Sequence, residues 1–279
     1  MRRPFRKNVE TPAASRLPAP SQPPKLNSSD LAALYRGARV GGDFFESVKV
    51  GDDRLIFVLL DIAGRRDQAI DIAASLQELL RRSVPELFSE PDVNEADAIT
   101  HLVLQLNATI LATAGGVHCA AAFAACYNES LGIIAYINAG HVPALLRDDG
   151  TISVLEASGL PLGLFSHVTH DAQMCVIPAG GALLLASRGL LEVKAGGEEY
   201  GLERLKSSLR TATMNGDAGE LCAYVLRDVS EFAEQKKRRR FLGLIGPSAS
   251  VVRNTMDEND ITTVALIRSH AKTMATTAR

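Results

Sequence analysis

The sequence contains no tryptophan and only four cysteines among its 279 residues. No two of these cysteines form a Cys-x-x-Cys pair, which excludes zinc ribbons and thioredoxin-like redox motifs and predicts reduced core thiols. No uninterrupted apolar stretch reaches the roughly 18 to 20 residues of a membrane-spanning helix, and the N-terminus has no apolar signal core. These absences predict a soluble, cytoplasmic protein that does not enter a membrane.

An excess of positive charge is also lacking. The chain carries 30 Lys and Arg against 32 Asp and Glu, a formal net charge of -2. Nothing in this balance favours a nucleic acid or a membrane surface as a partner. The basic run at 236–240 has no interleaved aromatic residues, so we interpret it as solvated residues that follow the end of the last helix.

Proline is concentrated at the N-terminus, where residues 1–27 contain six of the twelve prolines among Arg, Ser and Ala. Such a composition cannot bury enough apolar surface to offset its ordering entropy, which predicts a disordered Pro-rich arm. The remaining length fits one domain at 28–270, followed by a C-terminal tail at 271–279.

Hydrophobic periodicity predicts both strands and helices. The β-branched and aromatic run at 56–60 is typical of a strand buried on both faces, whereas 68–82 and 94–112 have helical spacing. Short apolar runs separated by turn residues predict an antiparallel meander in the middle third of the chain. Its strands are expected at 120–127, 133–137, 143–147 and 151–155, with further strands at 182–186 and 261–267 and helices at 202–209 and 218–232. Helix pairs that bracket a block of strands favour an α+β fold.

Two aspartates occupy positions suited to chemistry. Asp43 follows two glycines, and Asp61 ends the strand predicted at 56–60. Two carboxylates there can hold Mg²⁺ or Mn²⁺, and a pair of ions about 3.5 to 4 Å apart would activate a water and bind a phosphoryl oxygen. On spacing alone, an aspartate at a strand end is more often a turn or cap residue, so both interpretations stay open.

Six short motifs follow one another along the chain. They are Val40-Gly41-Gly42-Asp43-Phe44-Phe45, Asp61-Ile62-Ala63-Gly64, Asn138-Ala139-Gly140-His141-Val142-Pro143, Gly159-Leu160-Pro161-Leu162-Gly163, Tyr200-Gly201-Leu202-Glu203-Arg204-Leu205 and Asn259-Asp260-Ile261-Thr262. In this order they resemble the motifs of the PPM-type (protein phosphatase 2C-like) serine phosphatases, in the bacterial SpoIIE and RsbU branch. One such motif would be weak evidence, but six in family order are strong.

The resemblance implies a four-layer αββα sandwich, with two antiparallel sheets flanked by helices. It implies Mn²⁺- or Mg²⁺-dependent dephosphorylation of a phosphorylated signalling protein, such as an anti-sigma-factor antagonist. It also makes Asp61 and Asp43 the catalytic carboxylates: Asp61 and the Ile62 carbonyl bind the ions, and Asp43 supports the metal-bound waters. Asn259 and Asp260 occupy the remaining ligand motif.

Three motifs depart from the family pattern. Ser187-Arg188-Gly189 stands where the family has Thr-Asp-Gly, and a guanidinium repels a cation instead of binding it. Asn259 replaces a second ligand acid and keeps only a neutral carbonyl oxygen. Gly64-Arg65-Arg66-Asp67 replaces the family's Gly-His-Gly. We therefore predict that Arg188 pairs with Asp61 in the space of the second metal ion.

Three functions stay open at this stage. One is a metal-dependent phosphatase of weakened activity, and another is a noncatalytic pseudophosphatase that binds a phosphoprotein or a regulator through the altered cleft. The third is a structural module that binds neither metal nor phosphate. The histidines leave similar alternatives: His141 is a proton shuttle or fixes its hairpin by a hydrogen bond, and His167 and His170 are predicted to be exposed.

Overall fold

The computed structural model describes residues 17–19, 21–37, 42–113, 118–242 and 260–270, with the side chains from 235 to 242 excepted. Within these ranges the chain forms strands and helices in the following order: β1 (Ser29–Arg36), β2 (Asp43–Val50), β3 (Arg54–Ile62), α1 (Arg66–Phe88), α2 (Glu95–Thr113), β4 (Ala120–Asn128), β5 (Ile133–Ala139), β6 (Ala144–Asp148), β7 (Thr151–Leu155), β8 (Gln173–Val176), β9 (Ala182–Ala186), α3 (Arg188–Leu191), β10 (Lys194–Ala195), β11 (Glu198–Glu199), α4 (Gly201–Thr211), α5 (Ala218–Leu242) and β12 (Ile261–Arg268).

Two five-stranded antiparallel sheets form the centre of the fold. Sheet I has the order β1-β12-β9-β6-β7, and sheet II has the order β2-β3-β4-β5-β8. Helices α1 and α2 cover the outer face of sheet II, while α4 and α5 pack on sheet I. This arrangement confirms the predicted four-layer αββα sandwich.

Strand β3 contributes to two separate hydrophobic cores, one on each face of sheet II. Its residues alternate between the two faces of sheet II, as the pleat of a strand requires. One set packs under α1 and α2: Ile56, Val58 and Leu60. The other set packs between the sheets: Leu55, Phe57 and Leu59. A continuous apolar run is therefore needed, because both faces are buried.

Two helices extend beyond their predicted ends. Helix α1 continues through Pro85 to Phe88, because Val84 and Phe88 are completely buried and their packing outweighs the local cost of proline. Helix α5 includes the basic run at 236–240, which the sequence analysis wrongly placed after the helix. No helix in the described part of the chain is both long and apolar enough to cross a membrane.

The last part of the predicted disordered arm contacts the domain. Ala19 exchanges two hydrogen bonds with the side-chain amide of Gln77 on α1, each 2.8 Å long. The Ser21 hydroxyl donates to Glu46 at 2.6 Å, and the Gln77 amide donates to the same carboxylate at 2.6 Å. Glu46 and Gln77 are buried, so these contacts satisfy polar groups that have little access to water. The first sixteen residues of the arm lie outside the described ranges.

Candidate active-site cleft

Asp43 and Asp61 lie side by side at one end of sheet II. They are direct partners in the antiparallel register of β2 and β3. The Ile62 amide donates to the Gly42 carbonyl at 2.8 Å. A Cβ atom on Gly42 would lie 3.1 Å from the Ile62 carbonyl oxygen, so glycine permits the close approach of these two strands. The predicted pair of carboxylates is therefore formed by strand register.

Sheet I reaches the same place through two adjacent strand ends. Ser187 follows β9, and its amide donates to the Thr262 carbonyl of β12 at 2.9 Å. The Thr262 amide donates in return to the Ser187 hydroxyl at 3.0 Å. The Thr262 hydroxyl then donates to the Asp43 carboxylate at 2.6 Å, which links the two sheets at the site. The sequence analysis assigned no role to either hydroxyl, although Thr262 belongs to a motif that it quoted.

Arg188, the first residue of α3, faces Asp61 across the cleft. Its Nε lies 3.7 Å from the Asp61 Oδ2. The predicted ion pair is thus confirmed. The Arg188 side chain is 55% exposed and that of Asp61 is 28% exposed, so the pair lies at the mouth of the cleft and not in the core.

Asp43 has a strongly perturbed carboxyl group. Its pKa is raised to about 7, mainly by burial; hydrogen bonds from Thr262 and Ser187 oppose the shift, and the neighbouring charges of Asp61 and Asp260 add to it. Close to neutral pH, this carboxyl is partly protonated. Its electrostatic contact with Asp260 also places that residue at the site.

His141 fixes its hairpin and also keeps one ring nitrogen free. Its backbone amide donates to the Asn138 Oδ1 at 2.9 Å, and its Nδ1 lies 3.0 Å from the Val142 carbonyl oxygen. Burial lowers the pKa of the ring; the Val142 contact and the Asp61 charge oppose this shift, and the Arg188 charge adds to it. The hairpin-fixing hydrogen bond is present, and the buried Nε2 has no hydrogen-bond partner in the described part of the chain.

Two more arginines stand at the start of α1, just after Asp61. Arg65 and Arg66 are exposed, and an Arg65 nitrogen lies 3.4 Å from the Asp67 carboxylate. The turn that leads to them depends on Gly64, which has φ +139° and whose Cβ would lie 2.5 Å from a His118 ring nitrogen. The replaced Gly-His-Gly segment thus presents cations to solvent near the cleft.

The donor groups do not fit a two-metal centre. Asp43 interacts with both Asp61 and Asp260, but Asp61, to which the family resemblance assigns both ions, is paired with Arg188. Within the described ranges, no group of three or more His, Cys, Asp or Glu side chains is arranged to hold a metal ion. Asn259, the remaining predicted ligand, lies outside those ranges.

The two packed sheets, their helical layers and the cleft between the strand ends define a protein phosphatase 2C-like fold. The phosphatase domain of SpoIIE from Bacillus subtilis, solved with a fragment of its regulatory domain, superimposes with a TM-score of 0.65 at 16% identity, covering 88% of this chain and 63% of that one. The family model for Stage II sporulation protein E (SpoIIE) matches residues 51–239. This chain therefore belongs to the SpoIIE family.

Two curated relatives match over part of their length. Phosphoserine phosphatase RsbP of Bacillus subtilis (strain 168) is 27% identical over 160 residues, which cover 57% of this chain and 38% of the relative. Protein IcfG of Synechocystis sp. (strain ATCC 27184 / PCC 6803 / Kazusa) is 26% identical over 207 residues, covering 67% of this chain and 33% of the relative. The matches thus span about a third of each relative. Among the structural neighbours, PstP was solved with 2 manganese ions and RsbX with magnesium.

Proposed function

We propose that this domain is a pseudophosphatase that binds a phosphoserine or phosphothreonine protein through the altered cleft, with hydrolysis lost or greatly weakened. The observation that carries the proposal is the Arg188 guanidinium, 3.7 Å from the Asp61 carboxylate. In the family resemblance, Asp61 bridges two metal ions. Here its charge is directed to a side-chain cation.

Arg188, in place of the family's acid, is also suited to binding a phosphate group. A guanidinium binds phosphate through paired, charge-assisted hydrogen bonds, and Arg188 is exposed enough to reach a ligand. Arg65 and Arg66 add two exposed cations from the start of α1. A phosphorylated side chain that enters the cleft would therefore meet Arg188, and Asp61 would lose its intramolecular partner on binding.

A slow metal-dependent phosphatase is the second candidate. It is favoured by the pairing of Asp43 with Asp61 in the strand register and by the electrostatic interaction of Asp43 with Asp260. This candidate keeps the family's requirement for Mn²⁺ or Mg²⁺. In both cases we expect the partner to be a cytoplasmic phosphorylated signalling protein, such as an anti-sigma-factor antagonist, in keeping with the resemblance to the SpoIIE and RsbU branch.

Hydrolysis of an aryl phosphate in the presence of Mn²⁺ separates the two candidates. We expect the wild-type rate to equal that of Asp61→Asn, a control for contaminating phosphatases. Turnover that requires both Mn²⁺ and Asp61 would overturn the pseudophosphatase and establish the slow enzyme.

Restoring the family's acids tests the role of Arg188 directly. We expect Arg188→Asp combined with Asn259→Asp to raise the Mn²⁺ affinity at least about tenfold by calorimetric titration, because a repelling cation is replaced by a ligand. Arg82→Asp makes the same charge reversal on the exposed face of α1 and serves as the control. If the restored variant binds Mn²⁺ no better than the control, the ion pair is not what excludes the metal.

A further inference from the structure

The loop between β7 and β8 presents apolar side chains to solvent. Leu160, Leu164 and Phe165 are 51%, 44% and 58% exposed, whereas Leu162 between them is completely buried. We call the three exposed residues the apolar collar. The three side chains stand within six residues of one loop, and contiguous apolar surface of this kind marks sites of protein or ligand binding.

The collar lies beside the cleft. Leu162 exchanges two backbone hydrogen bonds with Ala120, of 2.9 and 2.8 Å. On its other side Ala120 pairs with Ile62, the residue that follows Asp61. Two strand spacings, about 10 Å, therefore separate the backbone of Leu162 from that of Ile62. The flanking collar residues stand at the same end of sheet II as Asp43 and Asp61.

Hydrogen bonds from Asn107 and His170 hold the loop between β7 and β8 in place. The Asn107 side chain of α2 accepts from the Gly163 amide at 2.7 Å and donates to the Phe165 carbonyl at 3.0 Å. His170, which was predicted to be exposed, is buried, and its Nε2 lies 2.9 Å from the Leu160 carbonyl oxygen. The collar is thus fixed by hydrogen bonds on both sides and does not fold inward to bury its own side chains.

Charge separates the collar from the rest of the cleft mouth. No lysine or arginine occurs between Arg147 and Arg188, a segment that includes the whole loop. The cations of the cleft instead come from Arg188 and from the start of α1. A ligand that spans this region meets positive charge on one part of its surface and apolar side chains on another.

We infer that the apolar collar docks the apolar residues that flank the phosphorylated side chain of a partner protein, while the arginines bind its phosphate. The inference rests on the proposed function, because the phosphate fixes where the partner sits. A phosphoprotein complements both parts of the surface: its phosphate matches the arginines, and apolar neighbours of the phosphoserine match the collar. The collar then selects partner proteins that have apolar residues beside the phosphoserine.

Two fluorescent phosphoserine peptides of equal length and charge provide the test, one with leucines and one with serines on both sides of the phosphoserine. We expect the wild-type protein to bind the leucine peptide about tenfold more tightly in an anisotropy titration. The variant Leu160→Ser with Phe165→Ser should bind both peptides equally. The control is Leu131→Ser, because Leu131 is 60% exposed at the opposite end of sheet II and should leave the preference unchanged.

Unphosphorylated peptides distinguish the two claims. Equal binding of both phosphopeptides by the wild-type protein would overturn the collar while leaving phosphate binding intact. A leucine preference that does not need the phosphate would instead overturn the proposed function. Failure of every peptide to bind would overturn both. Light scattering tests whether the collar instead binds a second copy of this chain. If the wild-type protein is a dimer and the collar variant is a monomer, the collar is a self-association surface and the inference is overturned.

Discussion

The two sheets bring opposite charges to the same cleft. Sheet II supplies Asp43 and Asp61, paired in register at the ends of β2 and β3. Sheet I supplies Arg188 at the end of β9, 3.7 Å from Asp61. The sheet II half of the cleft therefore keeps the acids that the family resemblance implies, whereas the sheet I half presents Arg188 where the resemblance implies an acid. The chemistry of the site can therefore depart from the family pattern while the fold is kept.

Burial explains this independence. Strand β9, which leads to Arg188, is apolar along its length, and every one of its residues is buried. Arg188 stands just beyond that strand, at the first position of α3, where more than half of its side chain is exposed. A charge reversal there leaves the core untouched, so its main effect falls on what the cleft binds.

The largest expected effect comes from disrupting the core that holds the two sheets together. The Phe123 ring is completely buried there and stacks on Phe57 and Tyr136, with ring centroids 6.4 and 5.4 Å away. We expect Phe123→Ala to lower the free energy of unfolding by about 3 to 5 kcal/mol, because it removes a buried ring and leaves a cavity. Urea denaturation measures the change. Leu104→Ala, at a 41% exposed position, is the control and should change stability by less than about 1 kcal/mol.

A smaller effect is expected on the sheet II side of the cleft, where the titration of Asp43 makes stability depend on pH. Asp43 has a folded-state pKa of about 7, above its unfolded value of 3.8. The folded state therefore retains a proton that the unfolded state releases, and this contribution to stability is lost as the pH rises from about 4 to about 7. Asp43→Asn lacks this titration. Between pH 4 and pH 8, we expect the free energy of unfolding of the variant to rise by up to about 4 kcal/mol relative to that of the wild type.

Thermal or urea unfolding at several pH values, with a chelator present, tests this expectation. Asp67→Asn, at a side chain that is 67% exposed, is the matched control. If Asp43→Asn and wild type lose stability in parallel across this pH range, the Asp43 carboxyl is not held protonated by its burial.

The smallest expected effect concerns the contact between the two halves. We expect a double-mutant cycle of Asp61→Asn and Arg188→Ala to give a coupling free energy of about 0.2 to 1 kcal/mol, since the pair is partly exposed. The coupling should decrease in 1 M salt, because screening acts on exposed charges. A coupling of zero at low salt would show that the guanidinium does not hold the carboxylate.

Sequence patterns predicted most of the fold. The buried runs of β3, β4 and β9 and the helical spacing of α2 are strong signals, because their burial leaves few alternatives. Strands β1, β2 and β8 were not predicted. They lie at sheet edges, where one side of the strand is unpaired and the apolar pattern is weaker.

The site was predictable only in part. Motif resemblance identified Asp43, Asp61 and Arg188 as site residues. The arginine in place of an acid then predicted the ion pair between Arg188 and Asp61. The link from Thr262 to Asp43 could not be predicted, because it joins residues far apart in the chain. Thr262 and Asp43 are 219 residues apart in the sequence, and no local sequence pattern predicts a contact over such a separation.

The contacts of Ala19 and Ser21 bear on how the protein should be produced. A shortened version that begins at Ser28 would delete both residues. Glu46 and Gln77 would then lose hydrogen bonds, although they are only 6% and 5% exposed. An unsatisfied buried polar group costs about 1 to 3 kcal/mol, so trimming at the predicted domain boundary would weaken the fragment. Crystallisation or assay fragments should therefore start no later than Leu17.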